Sequence, residues 1–433
     1  MILKRHYIYV FMLGLVLTGK VYAAGSGALR VELPDAGPFG MGSAFVGEAD
    51  RPSAVYYNPA GMTQMKKEQF SDGFAFFAPQ LYYKDPSGLE TKAHEDTYYI
   101  PSFYSVMPIH NSKAVVGVGV TSSWGSGINW PEKGILRYDA TKGSLENDDG
   151  MLAIAYPITD HWSLAASFDL DYSKADINKK IDQSGDPSDL SHDANSKLKA
   201  QAFGWGYRFA TMYKFNDQNQ LGLMYRSVIR EDYKGNIYLD GLDNSGNDLK
   251  TTFGGSSYQN DVREALALPQ SVVMGYSFRP TSKWTLNADL EWMDWRSVHQ
   301  QLLVFGEKDP VLLSILNSGN PTVDHWKAVW SEAVGAQYAW TDRFRVRCGY
   351  YHIQTPIASD TFDASLPDSN VNGVTVGFGY DIFKRLTLDF AYSADFYEAR
   401  SIVNTVDAAD NGVNGNYHQF TNLVLMTITY KFK

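Results

Sequence analysis

The residues able to do chemistry are scattered, and their spacing fits recognition better than catalysis. His94, His110, His161, His299, His325, His352 and His418 fall mostly in polar stretches, at turns or near the ends of alternating segments. None pairs with a glutamate at metal-ligand spacing on one face. No G-x-S-x-G elbow is present. No catalytic residue, no metal site, no cofactor and no enzymatic activity are therefore expected. Cys348 is the single cysteine, so neither an intrachain disulfide nor a cysteine metal site can form. It falls at an outward apolar strand position, where a packed structural role is expected.

Charge is more orderly. Arg208, Arg226, Arg345 and Arg347 share the inward face of their segments with Asp169, Asp171, Asp289, Glu291, Asp389 and Asp395. Most of these are expected to pair with one another. A guanidinium left over would hold a carboxylate through two hydrogen bonds. Apolar residues in irregular sequence are the other candidates for recognition. They are Leu29, Val31, Leu33, Phe39, Met41 and Phe45 near the N-terminus, and the run Val311, Leu312, Leu313, Ile315 and Leu316. Each buried methylene contributes about 0.8 kcal/mol, so such groups could hold a long apolar ligand with few polar contacts. The 311–316 run reads either as a capture surface or as a short helix packed on a rim.

The elements that must position these groups are strands. Segment 385–396 sets Leu386, Leu388, Phe390, Tyr392, Ala394 and Phe396 on one face against Thr387, Asp389, Ala391, Ser393 and Asp395. Segments 284–292 and 161–172 repeat the design, with period two placing each set on one side of a sheet. Short turns near 110–112, 159–160, 216–219, 280–283, 340–343 and 382–384 alternate with long polar loops. The loops fall near 84–96, 125–148, 178–199, 236–260, 299–323, 355–370 and 399–417. Thirteen connections join about 14 strands, with the turn asymmetry of outer-membrane barrels. The fold class expected is all-β: a transmembrane antiparallel β-barrel. In 326–338 the alternation puts Glu332 on the lipid face, so a bulge or phase shift is expected there. The last strand, 420–432, ends on Phe432, the aromatic terminus that barrel-assembly machinery reads, with Lys433 following.

One stretch fits no strand. Residues 37–62 are crowded with Gly, Ala and Ser and end in Tyr56-Tyr57-Asn58-Pro59-Ala60-Gly61-Met62. Such a segment cannot build its own core and reads as a plug (hatch) inside the lumen. Residues 1–23 read as a signal peptide, with Lys4 and Arg5, an apolar run over 7–17 and a cleavage site at Val21-Tyr22-Ala23. The expected organisation is 1–23 signal, 24–65 plug and 66–433 barrel. Losing Lys4, Arg5 and Lys20 keeps a chain of net charge −10 acidic, so nucleic acid is not an expected partner.

Four stretches in order resemble the FadL-type family of outer-membrane long-chain fatty acid and hydrocarbon transporters. They are Asn58-Pro59-Ala60-Gly61-Met62; Leu268-Pro269-Gln270-Ser271 running to Asp289-Leu290-Glu291-Trp292; Trp326 through Gly335-Ala336-Gln337-Tyr338; and Arg347-Cys348-Gly349-Tyr350 followed by Thr355-Pro356-Ile357 and Leu366-Pro367-Asp368. The resemblance implies passive transport of a hydrophobic small molecule, a long-chain fatty acid first and an aromatic or aliphatic hydrocarbon second. A structural or adhesive barrel is the reading from a different class. It also implies that the third strand, 113–124 running into 125–131, kinks inward to make a lateral opening. Gly117, Gly119, Ser122, Gly125 and Gly127 are the residues concerned, and Asn58, Pro59, Ala60 and Gly61 would hold the plug beside them. Expected partners are the hydrophobic ligand, outer-membrane lipid and lipopolysaccharide, and the assembly machinery, with the chain a monomer in the bacterial outer membrane.

Overall fold

A computed structural model describes residues 27–31, 34–406 and 412–433. The signal segment, Leu33 and the loop position Asn411 lie outside the described residues. Fourteen antiparallel strands form one ring. They are β1 (Gln69–Lys84), β2 (Tyr98–Pro108), β3 (Val115–Thr121, continuing as Ser126–Asn129), β4 (Lys142–Pro157), β5 (Trp162–Asp182), β6 (Asp193–Lys214) and β7 (Asn219–Arg226, then Ile229–Asp240). The ring goes on through β8 (Ser257–Leu268, then Ser271–Phe278), β9 (Trp284–Asp294), β10 (Ala328–Ala339), β11 (Phe344–Ile353), β12 (Val371–Phe383), β13 (Leu386–Tyr397) and β14 (Gly415–Lys431). It closes where β1 pairs with β14, from Gln69 opposite Lys431 to Lys84 opposite Asn416. Closure removes the sheet edges that lipid could not satisfy.

Period two explains the wall. On β5, Trp162, Leu164, Phe168 and Leu170 are exposed outward, while Ser163, Ser167, Asp169 and Asp171 are buried inward. Phe203, Trp205, Tyr207 and Phe209 continue the outward apolar band on β6. Above that band the same faces turn polar, with Lys197 and Lys199 on β6 and Arg230, Asp232 and Lys234 on β7 pointing out. The strands therefore run well past the hydrocarbon. Two expected loops shrink for that reason: 178–199 to 183–192, and 236–260 to 241–256. Polar side chains do not end a strand whose backbone partners continue. The expected bulge at Glu332 is absent. Glu332 faces outward, opposite Leu290 on β9 and His352 on β11, in unbroken register on both sides. The backbone ladder holds the register there and the exposed carboxylate is tolerated. Cys348 does point outward, but it is exposed on the wall rather than packed.

Inside the ring lies the N-terminal segment. Asp35 caps the short helix Ala36–Phe39 by accepting from the Gly37 N–H at 2.9 Å. The same carboxylate takes Arg51 at 3.1 Å and Ser53 at 2.6 Å. Arg51 reaches on to Asp389 of β13 at 2.6 Å, which also binds Arg347 of β11 at 2.6 Å. Further along the wall the Phe45 and Val46 N–H groups both donate to Asp289 of β9, at 2.7 and 2.8 Å. The glycines of the sequence motifs explain the close fit. A Cβ at Gly275, Gly335 or Gly349 would collide with backbone at Gly47, Met41 or Gly42, respectively. Gly42 itself sits at φ +67, where a side chain is strained.

Candidate functional site

The wall has an unpaired stretch beside an inward bend. The β2–β3 ladder runs from Pro108 opposite Val115 to Phe103 opposite Val120 and stops. Beyond it β3 stays paired only with β4. Thr121 faces Asp149 and Ser126 faces Leu145, so residues 122–125 span only 146–148. That is one extra residue, and the strand bends. The bend is held from inside by the N-terminal segment. Arg30 bridges Trp124, the Val31 N–H donates to Ser123 O at 3.0 Å, and the Gly125 N–H donates to Leu29 O at 2.7 Å. Higher up, Asn129 O accepts from the His94 N–H at 2.8 Å and closes the top of the gap. Between these limits the Tyr98 ring, stacked on Phe77 at 5.3 Å, lies against Gly127, where a Cβ would be 3.2 Å from it. A second interruption, between β6 and β7, is filled. The ladder is absent from Arg208–Arg226 up to Gln201–Lys234, and Ile229 packs over Gly204 and Gly206 there.

Above the bend is a chamber of about 280 Å³. Leu29 forms its floor with Trp326. Leu145, Ile177, Leu198, Leu266, Leu303, Ile357 and Leu366 supply apolar wall from four strands and two loops. Trp326 stacks edge-on against Trp295 at 5.1 Å, and Trp295 against Trp124 at 5.7 Å, so a row of indoles joins chamber to bend. Two further cavities share lining with it. One of about 240 Å³, between residues 319–323, 361–363 and 404–406, meets the chamber at Thr322, Thr361 and Asp363. The other, about 20 Å³, meets it at Ser126, Ser365 and Leu366 and reaches Gly127 on β3 and Pro79 on β1. Outer surface, chamber and gap thus adjoin in sequence.

The charged groups of the chamber are mostly acidic, among neutral Ser, Thr, Gln and Tyr side chains. Asp139, Glu264, Asp324 and Asp363 line it, against the single cation Lys179. Burial pushes the Glu264 carboxyl up to about 7. Burial does the same to Asp324, to about 7, with Asp363 and Glu264 adding to the effect. Both lie above the apolar band, Glu264 opposite Tyr233 on β7.

The family of outer membrane protein transport proteins described as OMPP1/FadL/TodX matches residues 15–432. The chain belongs to this family. Among its relatives, the long-chain fatty acid transport protein of Escherichia coli strain K12 is 25% identical over 389 residues, covering 82% of this chain and 84% of that one. The putative outer membrane protein NMB0088 of Neisseria meningitidis is 22% identical, covering 90% and 91%. Of solved structures, a Pseudomonas aeruginosa FadL homologue superposes with TM-score 0.81 at 19% identity, covering 94% and 100%. The Ralstonia pickettii toluene transporter TbuX superposes at 0.68 and 17%, covering 92% and 98%. The fold is therefore that of an outer-membrane transport barrel and not of an enzyme.

Within this FadL-family barrel the residues singled out from sequence divide. Leu29 lines the chamber. Phe39, Met41 and Phe45 are buried between the N-terminal segment and the wall and line none of the three adjoining cavities. Residues 310–316 do form a helix, capped by Asp309 at 2.8 Å to the Val311 N–H. Leu312 and Leu316 pack on the cluster of Leu239, Leu242 and Phe253, whereas Val311 and Ile315 are exposed and Leu313 is half-buried. That helix stands on the rim, away from the chamber lining. Ser122, Gly125 and Gly127 fall at the bend. Gly117 and Gly119 lie below it in paired strand, where Gly117 makes room for Met62 and Val55, and Gly119 for Tyr104.

The Asn58-Pro59-Ala60-Gly61 motif also sits below the bend. Asn58 is fully buried, donates to Val46 O at 2.9 Å and Thr211 O at 3.2 Å, and accepts from the Ala60 N–H at 3.1 Å. Pro59 starts a 3₁₀ turn, and Gly61 packs on Ala49. The motif locks the segment to β5 and β6. Leu29, Arg30 and Val31 take the place beside the bend that the sequence suggested for it, because the chain rises to the chamber before it descends.

The cations divide likewise. Arg208 is fully buried between Asp169 at 2.6 Å and Asp149 at 2.9 Å, and donates to Tyr56 O at 3.1 Å. Arg345 forks onto Asp381 at 2.8 and 3.0 Å, and Arg347 holds Asp389. Arg226 lies over the rings of Tyr56 at 5.3 Å and Trp124 at 5.5 Å, and its Nε has no partner among the described residues. Sequence reasoning missed most of the chamber lining. Its residues come from ten separate segments, and no local period marks them.

Proposed function

We propose that this chain is a passive outer-membrane channel for hydrophobic compounds. The ligand is an acyl chain or a hydrocarbon, as the names of the fatty acid and toluene transporters among its relatives and neighbours suggest. It is captured at the outer loops, held in the chamber and released sideways between β2 and β3. After signal cleavage near Ala23, the N-terminal segment acts as the plug that blocks an axial route. The observation that carries this reading is the unpaired β2–β3 stretch above Phe103 and Val120, which the chamber adjoins through Ser126. Unpaired backbone is costly against lipid. Here the bend turns part of it inward, where Leu29 and Val31 satisfy it.

Transport needs sites that bind an apolar ligand and still let it go. A chamber with apolar walls and few polar contacts does that, since affinity grows with buried methylenes and not with strong directional bonds. The test is to fill the gap. Gly127→Trp and Gly125→Trp should lower cellular uptake of a labelled long-chain fatty acid and of labelled toluene at normal surface levels. Leu152→Trp, on the outward face of β4, should not. Parental uptake by both gap variants would refute lateral release in favour of an axial path.

A further inference from the structure

We propose that the chamber takes its ligand only in the uncharged form, and that Glu264, Asp324 and Asp363 set this selectivity. The inference rests on the proposed transport reading and narrows its substrate class to neutral apolar molecules, including a long-chain acid that has kept its proton.

The geometry is a ring of carboxyls in an apolar room. Glu264 projects from β8, Asp324 from the loop before β10 and Asp363 from the loop before β12. Glu264 makes no hydrogen bond among the described residues. Asp324 is 4% exposed. Its Oδ1 accepts only a long 3.4 Å bond from Gln301, and its Oδ2 has no partner. A buried carboxyl without donors favours its neutral form, and the neighbouring Asp363 and Glu264 add to this for Asp324. Asp363 differs, since its Oδ1 accepts the Ser365 N–H at 2.6 Å. It stands where the outer cavity opens into the chamber.

Other charges around the chamber do not offset these. Lys179 on β5 is exposed at the rim. Lys142 on β4 is held by Asp176 at 2.6 Å, and Arg137 by Asp193 at 2.9 Å. Lys180 lies 3.3 Å from Glu132, and Arg30 under the floor pairs with Glu291. Arg400 is turned to the Asp368 and Ile357 carbonyls. Asp139 adds a fourth carboxyl from the loop before β4. An incoming carboxylate would therefore meet like charge inside the chamber, with the exposed Lys179 at the rim as the one lining cation among the described residues. A neutral head brings no charge to repel, and a hydrocarbon would rest on the apolar part of the wall. As pH rises through about 7, Glu264 and Asp324 ionise and the exclusion of anions sharpens.

The test uses two probes of equal length, 12-bromododecanol and 12-bromododecanoic acid. Bromine quenching of Trp326 is followed in the full-length protein, and a Trp326→Phe variant identifies the chamber signal. The alcohol should bind alike from pH 5.5 to 8.5. The acid's apparent Kd should rise at least about tenfold over that range in the parent protein, because only its scarce neutral form enters. In Glu264→Gln/Asp324→Asn the rise should fall to about threefold or less, while an unchanged β-sheet circular dichroism spectrum shows that the variant is folded. Acid binding that stays within threefold across the range in the parent would overturn the proposal, as would a double variant that keeps the parental profile. In either case alcohol binding would leave the transport reading standing. If neither probe quenches Trp326, the chamber is not a ligand site and both readings fall.

Discussion

Replacing Arg208 by Met is the sharpest probe of how wall and N-terminal segment are joined. Its guanidinium is fully buried, with Nε on Asp169 at 2.6 Å, Nη2 on Asp149 at 2.9 Å and Nη1 on Tyr56 O at 3.1 Å. Three partners thus depend on one cation, two of them carboxylates with side chains 0% exposed. Asp149 Oδ1 already lacks a partner. Removing one member of a buried pair strands the other, at about 3–5 kcal/mol. Arg208→Met should lose that much, because Met fills the space of the stem but returns no charge. Arg345→Met should lose about 1 kcal/mol or less, since Arg345 and Asp381 remain partly in solvent near the turn. The triple change Arg208→Met/Asp149→Asn/Asp169→Asn should regain most of the loss, since no ionised group is then stranded. Urea unfolding of the refolded barrel in micelles, followed by tryptophan fluorescence, reads all three. A loss under about 1 kcal/mol for Arg208→Met, or a triple variant as weak as the single, would refute the argument.

Two further outcomes test the wall and its orientation. Leu388→Arg, on the outward face of β13 near its turn, should impair folding by about 1 kcal/mol, less than a midplane site would, and Thr387→Arg, on the inward face beside Asp381, should cost less. Equal damage from both would mean the wrong face is in lipid. In a Cys348→Ser background, needed because Cys348 is exposed, cysteines at Gly88 and Asn244 should react on intact cells and those at Asp160, Asp217 and Asp342 should not. The reverse pattern would invert the topology.

The sequence by itself determined the strand number, the faces and the turn asymmetry. Period two is local: Trp284, Leu286, Leu290 and Trp292 must point one way whatever lies beside them, and a barrel in lipid needs that regularity on every strand. The motif glycines were legible as a pattern but not as a reason. Only the folded chain shows that Gly275, Gly335 and Gly349 stand where the N-terminal segment touches the wall. Tertiary structure alone decided the site. Arg208 and Arg226 are two inward arginines directly opposite on neighbouring strands, alike in sequence. One fell between two carboxylates, the other over Tyr56 and Trp124. Pairing here depends on the register of the neighbouring strands β4, β5 and β6 and on which lumen side chains, Tyr56 and Trp124, come to lie against them, and side-chain alternation does not encode that. The chamber is the extreme case. Leu29, Glu264, Asp324 and Leu366 meet only because the ring closes and the outer loops fold over it, so their chemistry becomes one site at a distance that no local spacing records.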